Sequence, residues 1–231
     1  METLRQHRSI KVLYNDDYYA AFDKPAGLLA IPSPKREKHT LLSLVNAPLA
    51  ASSQGGRLHP CHRLDRDTSG VILFAVGKKN QKIMMEEFRR RKVQKIYIAF
   101  IQGRLKIPSG EIKSRIRHFD SSRFHPPHRR SVALRAITRY RVIETKKDFS
   151  ILEVTPVTGR TNQIRIHFSQ LGHPLVGERQ YAFGKDYALK FRRTALHALS
   201  LSFLHPVFKR EIRIHSPLPE DMEQFRLRHL S

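Results

Sequence analysis

The loop at residues 62–70 (HRLDRDTSG) is the segment best suited to chemistry, because it sets carboxylates among basic side chains directly before an apolar run. Residues 71–76 are apolar, partly β-branched and followed by Gly77, a pattern typical of a buried strand. A carboxylate on a loop anchored by a rigid strand is well placed for nucleophilic or acid–base work, and Asp65 is the candidate. The alternative is that Asp65 caps a turn or forms a salt bridge, as loop aspartates commonly do.

A second carboxylate, Asp67, raises the question of a metal. An Asp-x-Asp pair can hold Mg²⁺, as in a phosphodiesterase, but no further carboxylate cluster accompanies it. We therefore expect Asp67, Thr68 and Ser69 to bond the loop's own backbone and fix its turn. With a single cysteine and no paired spacing of ligands among the 13 histidines, the sequence carries no zinc pattern. No metal and no cofactor are expected.

The charge of the chain indicates a polyanionic partner. Lys and Arg number 43 against 20 Asp and Glu, which gives a net charge of +23 spread along the sequence. No apolar run is long enough to span a membrane, so nucleic acid is the expected partner and a membrane is not. The single Cys61 excludes an intrachain disulfide, and the N-terminus lacks the apolar segment of a secretory signal, so we expect a cytoplasmic protein.

The pattern of apolar residues predicts a mixture of strands and helices without a regular βαβ repeat. This indicates one domain of the α+β class with a large, mostly antiparallel sheet. Met84 and Phe88 are predicted core residues of a helix, and Thr161 is the predicted N-cap of another that closes at Gly172. Helices are predicted at 40–47, 80–91, 161–171 and 221–228, and the main strands at 71–76, 93–101, 131–143, 148–156, 195–204 and 211–216.

Residues 104–131 form the most basic and least regular segment. It is predicted to be a long ribbon or loop that grips phosphates, the alternative being a solvated run of charge. Its arginines are Arg115, Arg117, Arg123, Arg129 and Arg130.

Five segments in order along the chain resemble the RluA-type pseudouridine synthases, which isomerise uridine within RNA. The resemblance extends from about residue 12 to about residue 217. It implies the α+β fold of that family, no cofactor, and structured rRNA or tRNA as the partner. The segments are DKPAGL at 23–28, HRLDRDTSG at 62–70, QKIY at 94–97, GRTNQIR at 159–165, and LHA at 196–198 followed by His205 and Pro206.

The resemblance also implies roles for individual residues. Asp65 is the catalytic carboxylate, acting on the sugar as a nucleophile or beside it as an acid–base group. Arg165 pairs with Asp65, and Tyr97 lies against the uracil. His62 and Arg63 occupy the space that a flipped nucleotide leaves. The expected RNA-binding set is His62, Arg63, Arg66, Arg115, Arg117, Arg129, Arg130, Arg160 and Asn162.

Two departures from the family pattern affect these expectations. The family often has His where this chain has Asn162, so the role of Asn162 stays open. Many relatives also carry an N-terminal S4 domain, whereas here the catalytic fold is expected to begin within about ten residues of Met1. A stand-alone, monomeric catalytic domain is the resulting expectation.

A non-catalytic RNA-binding or ribosome-assembly protein would show the same excess of positive charge. The joint presence of Asp65, Tyr97 and Arg165 favours the enzyme, because binding alone does not require these three together.

Overall fold

A large mixed sheet is the framework that positions the loop at 62–70. The computed structural model describes residues 10–32, 37–50, 56–117, 132–182 and 189–229, and these contain ten strands and four helices. The strands are β1 (Val12–Asn15), β2 (Tyr19–Lys24), β3 (Leu58–Pro60), β4 (Ser69–Val76), β5 (Gln94–Gln102), β6 (Ser109–Arg117), β7 (Ala133–Thr145), β8 (Phe149–Pro156), β9 (Leu196–Leu204) and β10 (Glu211–His215). The helices are α1 (Leu41–Ala50), α2 (Gly77–Arg89), α3 (Gln163–Gln170) and α4 (Glu220–Arg228).

The sheet confirms the predicted α+β class. Its strand order is β1-β2-β4-β9-β5-β8-β7-β6, with β10 paired to β9 and β3 paired to β4. The β4–β9 pair is parallel, through Ser69 opposite His197 and Gly70 opposite Ala198. The other pairings between these strands are antiparallel, so the loop before β4 enters the sheet beside the start of β9.

Strand β4 is buried on both of its faces. Ile72 and Phe74 belong to a core cluster that includes residues of α1 and α3, while Val71 and Leu73 pack in a second cluster with Met84 of α2. A strand covered on both sides reads as a continuous apolar run, which is why residues 71–76 show no alternation. In the third cluster, Met222 and Phe225 of α4 pack with apolar residues of β5 and β8.

Helix α2 differs from the prediction in where it starts and in what Phe88 does. The helix begins at Gly77, immediately after β4, rather than at residue 80. Met84 is fully buried, as predicted, but Phe88 is only partly buried at the edge of its cluster. Phe88 also lines a cavity, so its assignment to the core was incomplete.

The predicted N-cap of α3 is wrong. The helix begins at Gln163, and the cap position is held by Asn162 with a left-handed φ of 55° and no capping bond from its side chain. Asn adopts this conformation more easily than the β-branched Thr161 does. The left-handed residue leaves the Asn162 side chain available for other contacts.

The basic segment at 104–131 is partly a strand ribbon. Strand β6 pairs with β7 along its whole length, from Ser109 opposite Arg141 to Arg117 opposite Ala133. Residues 118–131 lie outside the described ranges, and with them the predicted RNA-binding residues Arg129 and Arg130. Of the helices in the described ranges, none is both long and apolar enough to cross a bilayer.

Candidate active site

A cavity of about 480 Å³ opens where the loop at 62–70 meets the end of α2, the start of β5 and the start of α3. Asp65, Tyr97 and Arg165, which lie far apart in sequence, all line it. This volume is within the range of small-molecule sites. Among the described residues of the lining, Asp65 is the single carboxylate and six side chains are cationic: Arg63, Arg89, Arg91, Lys95, Arg160 and Arg165.

A buried lysine holds the backbone of the Asp65 loop. The Lys24 ammonium is fully buried and donates hydrogen bonds to the carbonyl oxygens of Pro25 at 3.0 Å, Leu28 at 2.7 Å and Arg66 at 2.9 Å. Burial lowers the pKa of Lys24 to about 7, and the negative charge of Asp65 opposes that change. Lys24 therefore ties the end of β2 to the residue that follows Asp65.

Two further contacts fix the loop where it enters β4. Arg193 donates from Nη1 to the carbonyl oxygen of Asp67 at 3.1 Å, and the Ser69 hydroxyl lies 3.0 Å from Nδ1 of His197. Within the loop itself, the Thr68 amide donates to the Asp65 carbonyl at 3.2 Å. The expectation that polar side chains of the loop fix its own turn is wrong for Ser69, because this hydroxyl reaches across to β9.

The Asp65 carboxyl is half-buried, and its environment contains opposing influences on its charge. Burial raises the pKa of Asp65, whereas the positive charges of Arg165, Arg63 and Lys24 lower it. Burial is the largest of these causes, so the net direction is upward. Within the described part of the chain, the structure gives this carboxylate no hydrogen bond from a side chain, which leaves both oxygens free for a substrate.

Arg165 is close enough to influence Asp65, but its direct ion pair is with Glu178. Nε and Nη2 of Arg165 donate to the two oxygens of Glu178 at 2.7 and 2.8 Å, and the Glu178 side chain is completely buried. Arg165 and Asp65 therefore do not form the predicted direct pair; the charge of Arg165 acts on Asp65 without a salt bridge between them. Because the fork geometry uses two donors, Glu178 fixes the plane of the guanidinium.

Asn162 and Tyr181 complete the support around Arg165. Nη1 of Arg165 donates to Oδ1 of Asn162 at 2.9 Å, and Nδ2 of Asn162 donates to the Tyr181 hydroxyl at 2.9 Å. The guanidinium carbon also lies 5.0 Å from the centre of the Tyr181 ring, within range of a cation–π interaction. This geometry gives Asn162, whose role the sequence left open, a contact with the predicted catalytic arginine.

Tyr97 lies on β5 with only 8% of its surface exposed. Burial, followed by the negative charge of Asp65, raises the pKa of its hydroxyl. Tyr97 is therefore protonated near neutral pH, with an aromatic face and an O–H group at the cavity.

His62 and Arg63 occupy different positions relative to the cavity. Nε2 of His62 accepts a hydrogen bond from the Leu73 amide at 3.0 Å, and its ring packs 4.9 Å from that of Phe88. Burial lowers the pKa of His62 to about 3, so the ring is neutral. Arg63 is exposed at the cavity rim, whereas Arg66 forms an exposed ion pair with Glu37 at 2.7 Å.

A buried polar network attaches the start of α3 to the sheet. Gln163 donates to the carbonyl of Ile137 and the hydroxyl of Thr138, both at 2.9 Å, and its oxygen accepts from Thr158 at 2.6 Å. His167, also buried, lies 2.9 Å from the same Thr138 hydroxyl. The network fixes the helix whose first turn carries Arg165.

The remaining predicted RNA-binding arginines lie on the β6–β7 ribbon and beside it. Arg115 is exposed and stands opposite the exposed Arg135 of β7. Arg160 donates from Nε to the carbonyl of Arg135 at 3.2 Å, so the three arginines are neighbours. Arg117 is the last residue of β6, two residues after Arg115.

Glu178, Tyr181, Arg91 and Lys95 were not predicted from the sequence. Glu178 and Tyr181 follow α3 without any local pattern, whereas Lys95 stands two residues before Tyr97 on one strand and so had a detectable signal. Arg91 has a φ of 59° just after α2. In the described residues there is no group of three or more His, Cys, Asp or Glu side chains that could hold a metal ion.

Comparisons with known proteins identify relatives of this chain. A family model described as RNA pseudouridylate synthase matches residues 18–170. The chain is 31% identical over 222 residues to the uncharacterized RNA pseudouridine synthase YhcT of Bacillus subtilis (strain 168), covering 94% of this chain and 72% of that protein. It is 35% identical to the ribosomal large subunit pseudouridine synthase D of Xanthomonas campestris pv. campestris, covering 93% and 68%.

A shorter relative and a solved structure cover nearly the whole of both chains. The dual-specificity RNA pseudouridine synthase RluA of Pasteurella multocida is 31% identical, covering 90% of this chain and 93% of that protein. The structure of human RNA pseudouridylate synthase domain containing 4 has a TM-score of 0.78 at 22% identity, covering 95% and 92%, which shows the same fold. The chain belongs to the RluA-type family of RNA pseudouridine synthases, which are isomerases.

Proposed function

We propose that this enzyme isomerises uridine in structured rRNA or tRNA, with Asp65 as the catalytic carboxylate and the target base flipped out of its stack. The observation that carries the proposal is that, in the part of the chain that the structure describes, Asp65 is the single carboxylate lining a cavity with six cationic side chains. A relative named for the ribosomal large subunit supports rRNA as a substrate class, and a relative named for dual specificity supports a second kind of RNA site.

The reaction breaks the bond between C1′ and N1, turns the uracil, and joins C1′ to C5. The C5 proton is lost and N1 gains one, so atoms and charge balance without a redox change. Asp65 acts in its ionised form, either by attacking the sugar at C1′ or by moving a proton beside it. The cations around Asp65 favour that ionised form against the effect of burial.

Flipping the base costs a few kcal/mol, and contacts in the cavity must offset this cost. Stacking of a base on an aromatic side chain returns about 1–3 kcal/mol. Tyr97 supplies the aromatic face next to Asp65, and its protonated hydroxyl is a candidate for proton transfer. Arg63 at the rim is suited to fill the space that the base leaves in the RNA.

The first test is nucleoside mass analysis of unmodified rRNA and tRNA transcripts after incubation with the protein. Wild type should form pseudouridine in at least one of them, and Asp65→Asn should form none while binding RNA with nearly unchanged affinity. Asp67→Asn is the matched control, because it removes the same charge from the same loop but does not line the cavity. Turnover by Asp65→Asn would remove Asp65 from the mechanism, and no product from wild type would exclude both substrate classes.

A further inference from the structure

Lys95 lies in the wall of the cavity, two residues before Tyr97. Alternate residues of a strand point to the same side, and both side chains line the cavity. The Lys95 ammonium is 6.0 Å from the centre of the Phe88 ring, and its positive charge contributes to the lowered pKa of His62. Gly159 is a close neighbour of the ammonium, because a Cβ added there would lie 3.7 Å from it, an ordinary van der Waals distance.

The ammonium of Lys95 differs from the other enclosed cations in having no acceptor. Arg165 is paired with Glu178, and the buried Lys24 donates to three carbonyl oxygens. For Lys95, no hydrogen bond and no carboxylate within 4.0 Å is found among the residues that the structure describes. Burial lowers the pKa of Lys95, which is the expected effect of withdrawing an uncompensated ammonium from water.

Lys95 and neighbouring cations that form no ion pair in the described part of the chain are suited to a ligand that brings negative charge. Within the described ranges, Arg63 and Arg91 at the cavity have no carboxylate oxygen within 4.0 Å, whereas Arg89 is ion-paired with Glu86. A phosphate oxygen carries negative charge and a uracil carbonyl oxygen is neutral, so a phosphate would compensate the charge of this ammonium better. An RNA strand carries such a phosphate on each side of the flipped nucleotide.

We infer that Lys95 is a phosphate-binding residue, which holds a phosphodiester group next to the flipped uridine and so orients the ribose toward Asp65. This inference rests on the proposed function for the identity of the nucleotide. The charge of Asp65 is influenced by Arg165, Arg63 and Lys24. Lys95 is not among these charges, so its ammonium remains available for the substrate backbone.

The first experiment measures binding and does not depend on turnover. A uridine decanucleotide is titrated against wild type, Lys95→Met, Lys95→Arg and Lys92→Met at several salt concentrations. Lys95→Met should bind about ten- to a hundredfold more weakly, with a salt slope smaller by about 0.7, the value for one phosphate contact on a single strand. Lys95→Arg should recover most of the affinity.

Lys92→Met is the matched control, because Lys92 is exposed, is 3.9 Å from Glu87 and lies outside the cavity. It removes the same charge and should bind like wild type. The melting temperature separates binding from a structural role: removing an uncompensated half-buried charge should leave it unchanged or raise it, whereas loss of a structural contact would lower it. Equal affinity of Lys95→Met and wild type would overturn the inference.

The second experiment uses the shortest RNA in which wild type forms pseudouridine. A neutral methylphosphonate replaces the phosphate on either side of the target uridine, one at a time. One of these changes should slow wild type about as much as Lys95→Met does. Lys95→Met acting on that modified RNA should lose no more rate than either change alone. Additive losses at both positions would contradict the phosphate contact. Pseudouridine formation with no effect of Lys95→Met in either experiment would refute this inference alone, whereas absent turnover would refute the proposed function alone.

Discussion

At the scale of single residues, the charge of Asp65 depends on groups from several elements. Arg165 and Arg63 lower its pKa, while burial and the negative charge of Glu178 raise it. Glu178 thus acts on Asp65 in two ways, because it adds negative charge and also holds the Arg165 guanidinium in its fork. Removing Arg165 and removing Glu178 should therefore shift the pKa of Asp65 in opposite directions.

Arg165→Gln and Glu178→Gln are predicted to shift the pH dependence of turnover in opposite directions. The rate should fall as the pH falls through the pKa of Asp65, because the carboxylate must be ionised. Arg165→Gln removes a positive neighbour, so this pKa should rise by about one pH unit or more, and with it the fall in rate at low pH, the acid limb of the profile. Glu178→Gln removes a negative neighbour, so the limb should move down. The measurement is single-turnover rate against pH.

Glu153→Gln serves as the control for these profiles, since Glu153 is paired with the exposed Arg141, 3.4 Å away, and does not line the cavity. Its acid limb should coincide with that of wild type. Shifts of the same sign in Arg165→Gln and Glu178→Gln would mean that the pair acts through the shape of the site rather than through its charge.

The residue types at the site were predictable from the sequence, but their supports were not. Asp65, Tyr97 and Arg165 stand in recognisable segments, and the structure gathers them around one cavity. Glu178 lies 13 residues beyond Arg165, past the end of α3, and only the turn of the chain after that helix brings the two together. The sequence around Glu178 has no periodicity that would reveal such a contact.

At the scale of elements, the parallel contact between β4 and β9 sets the place where the Asp65 loop ends. Gly70 has a φ of 106° and faces Ala198, and a Cβ added there would lie 2.2 Å from the Ala198 carbonyl oxygen. No side chain fits without separating the two strands. The last residue of the loop is therefore a glycine because of the neighbouring backbone as well as its own conformation.

Gly70→Ala is predicted to destabilise the protein much more than Gly27→Ala. Both glycines have positive φ, but a Cβ at Gly27 would meet nothing within 4 Å. Gly27→Ala should cost about 1–2 kcal/mol of unfolding free energy, the cost of the backbone conformation alone. Gly70→Ala adds the steric clash and should cost about 2–5 kcal/mol. Denaturant unfolding measures both, and equal losses would show that β4 and β9 separate easily.

The elements themselves show where a sequence pattern is sufficient and where it fails. The strand at 71–76 was predictable because both of its faces are buried, which leaves a plain apolar run. The start of α3 was not, because Thr161 is a favourable capping residue by type and yet the left-handed Asn162 takes the cap position. The side chain of Asn162 bonds to Arg165 and Tyr181 instead of capping the helix, and these contacts between distant residues leave no local pattern.

At the scale of the whole molecule, the net charge is +23. The charged residues of the β6–β7 ribbon are unevenly balanced along its length. Near Ser109, Glu111 accepts from Arg139 at 2.8 Å and contacts Lys113, so the charges there are partly balanced. Toward the other end, Arg115 and Arg135 face each other directly across the strands. Like charges in this position repel one another, and a polyanion laid along them would relieve the repulsion.

Arg135→Gln and Arg139→Gln are therefore predicted to differ in RNA binding although they remove the same charge. An unmodified tRNA transcript is titrated with each variant at several salt concentrations. Arg135→Gln should weaken binding and reduce the slope of log K against log salt by about 0.7–0.9, because one phosphate contact is lost. Arg139→Gln should keep the wild-type slope, since Arg139 already contacts Glu111. Identical slopes in the two variants would mean that RNA responds to the net charge of the protein and not to the Arg115–Arg135 end of the ribbon.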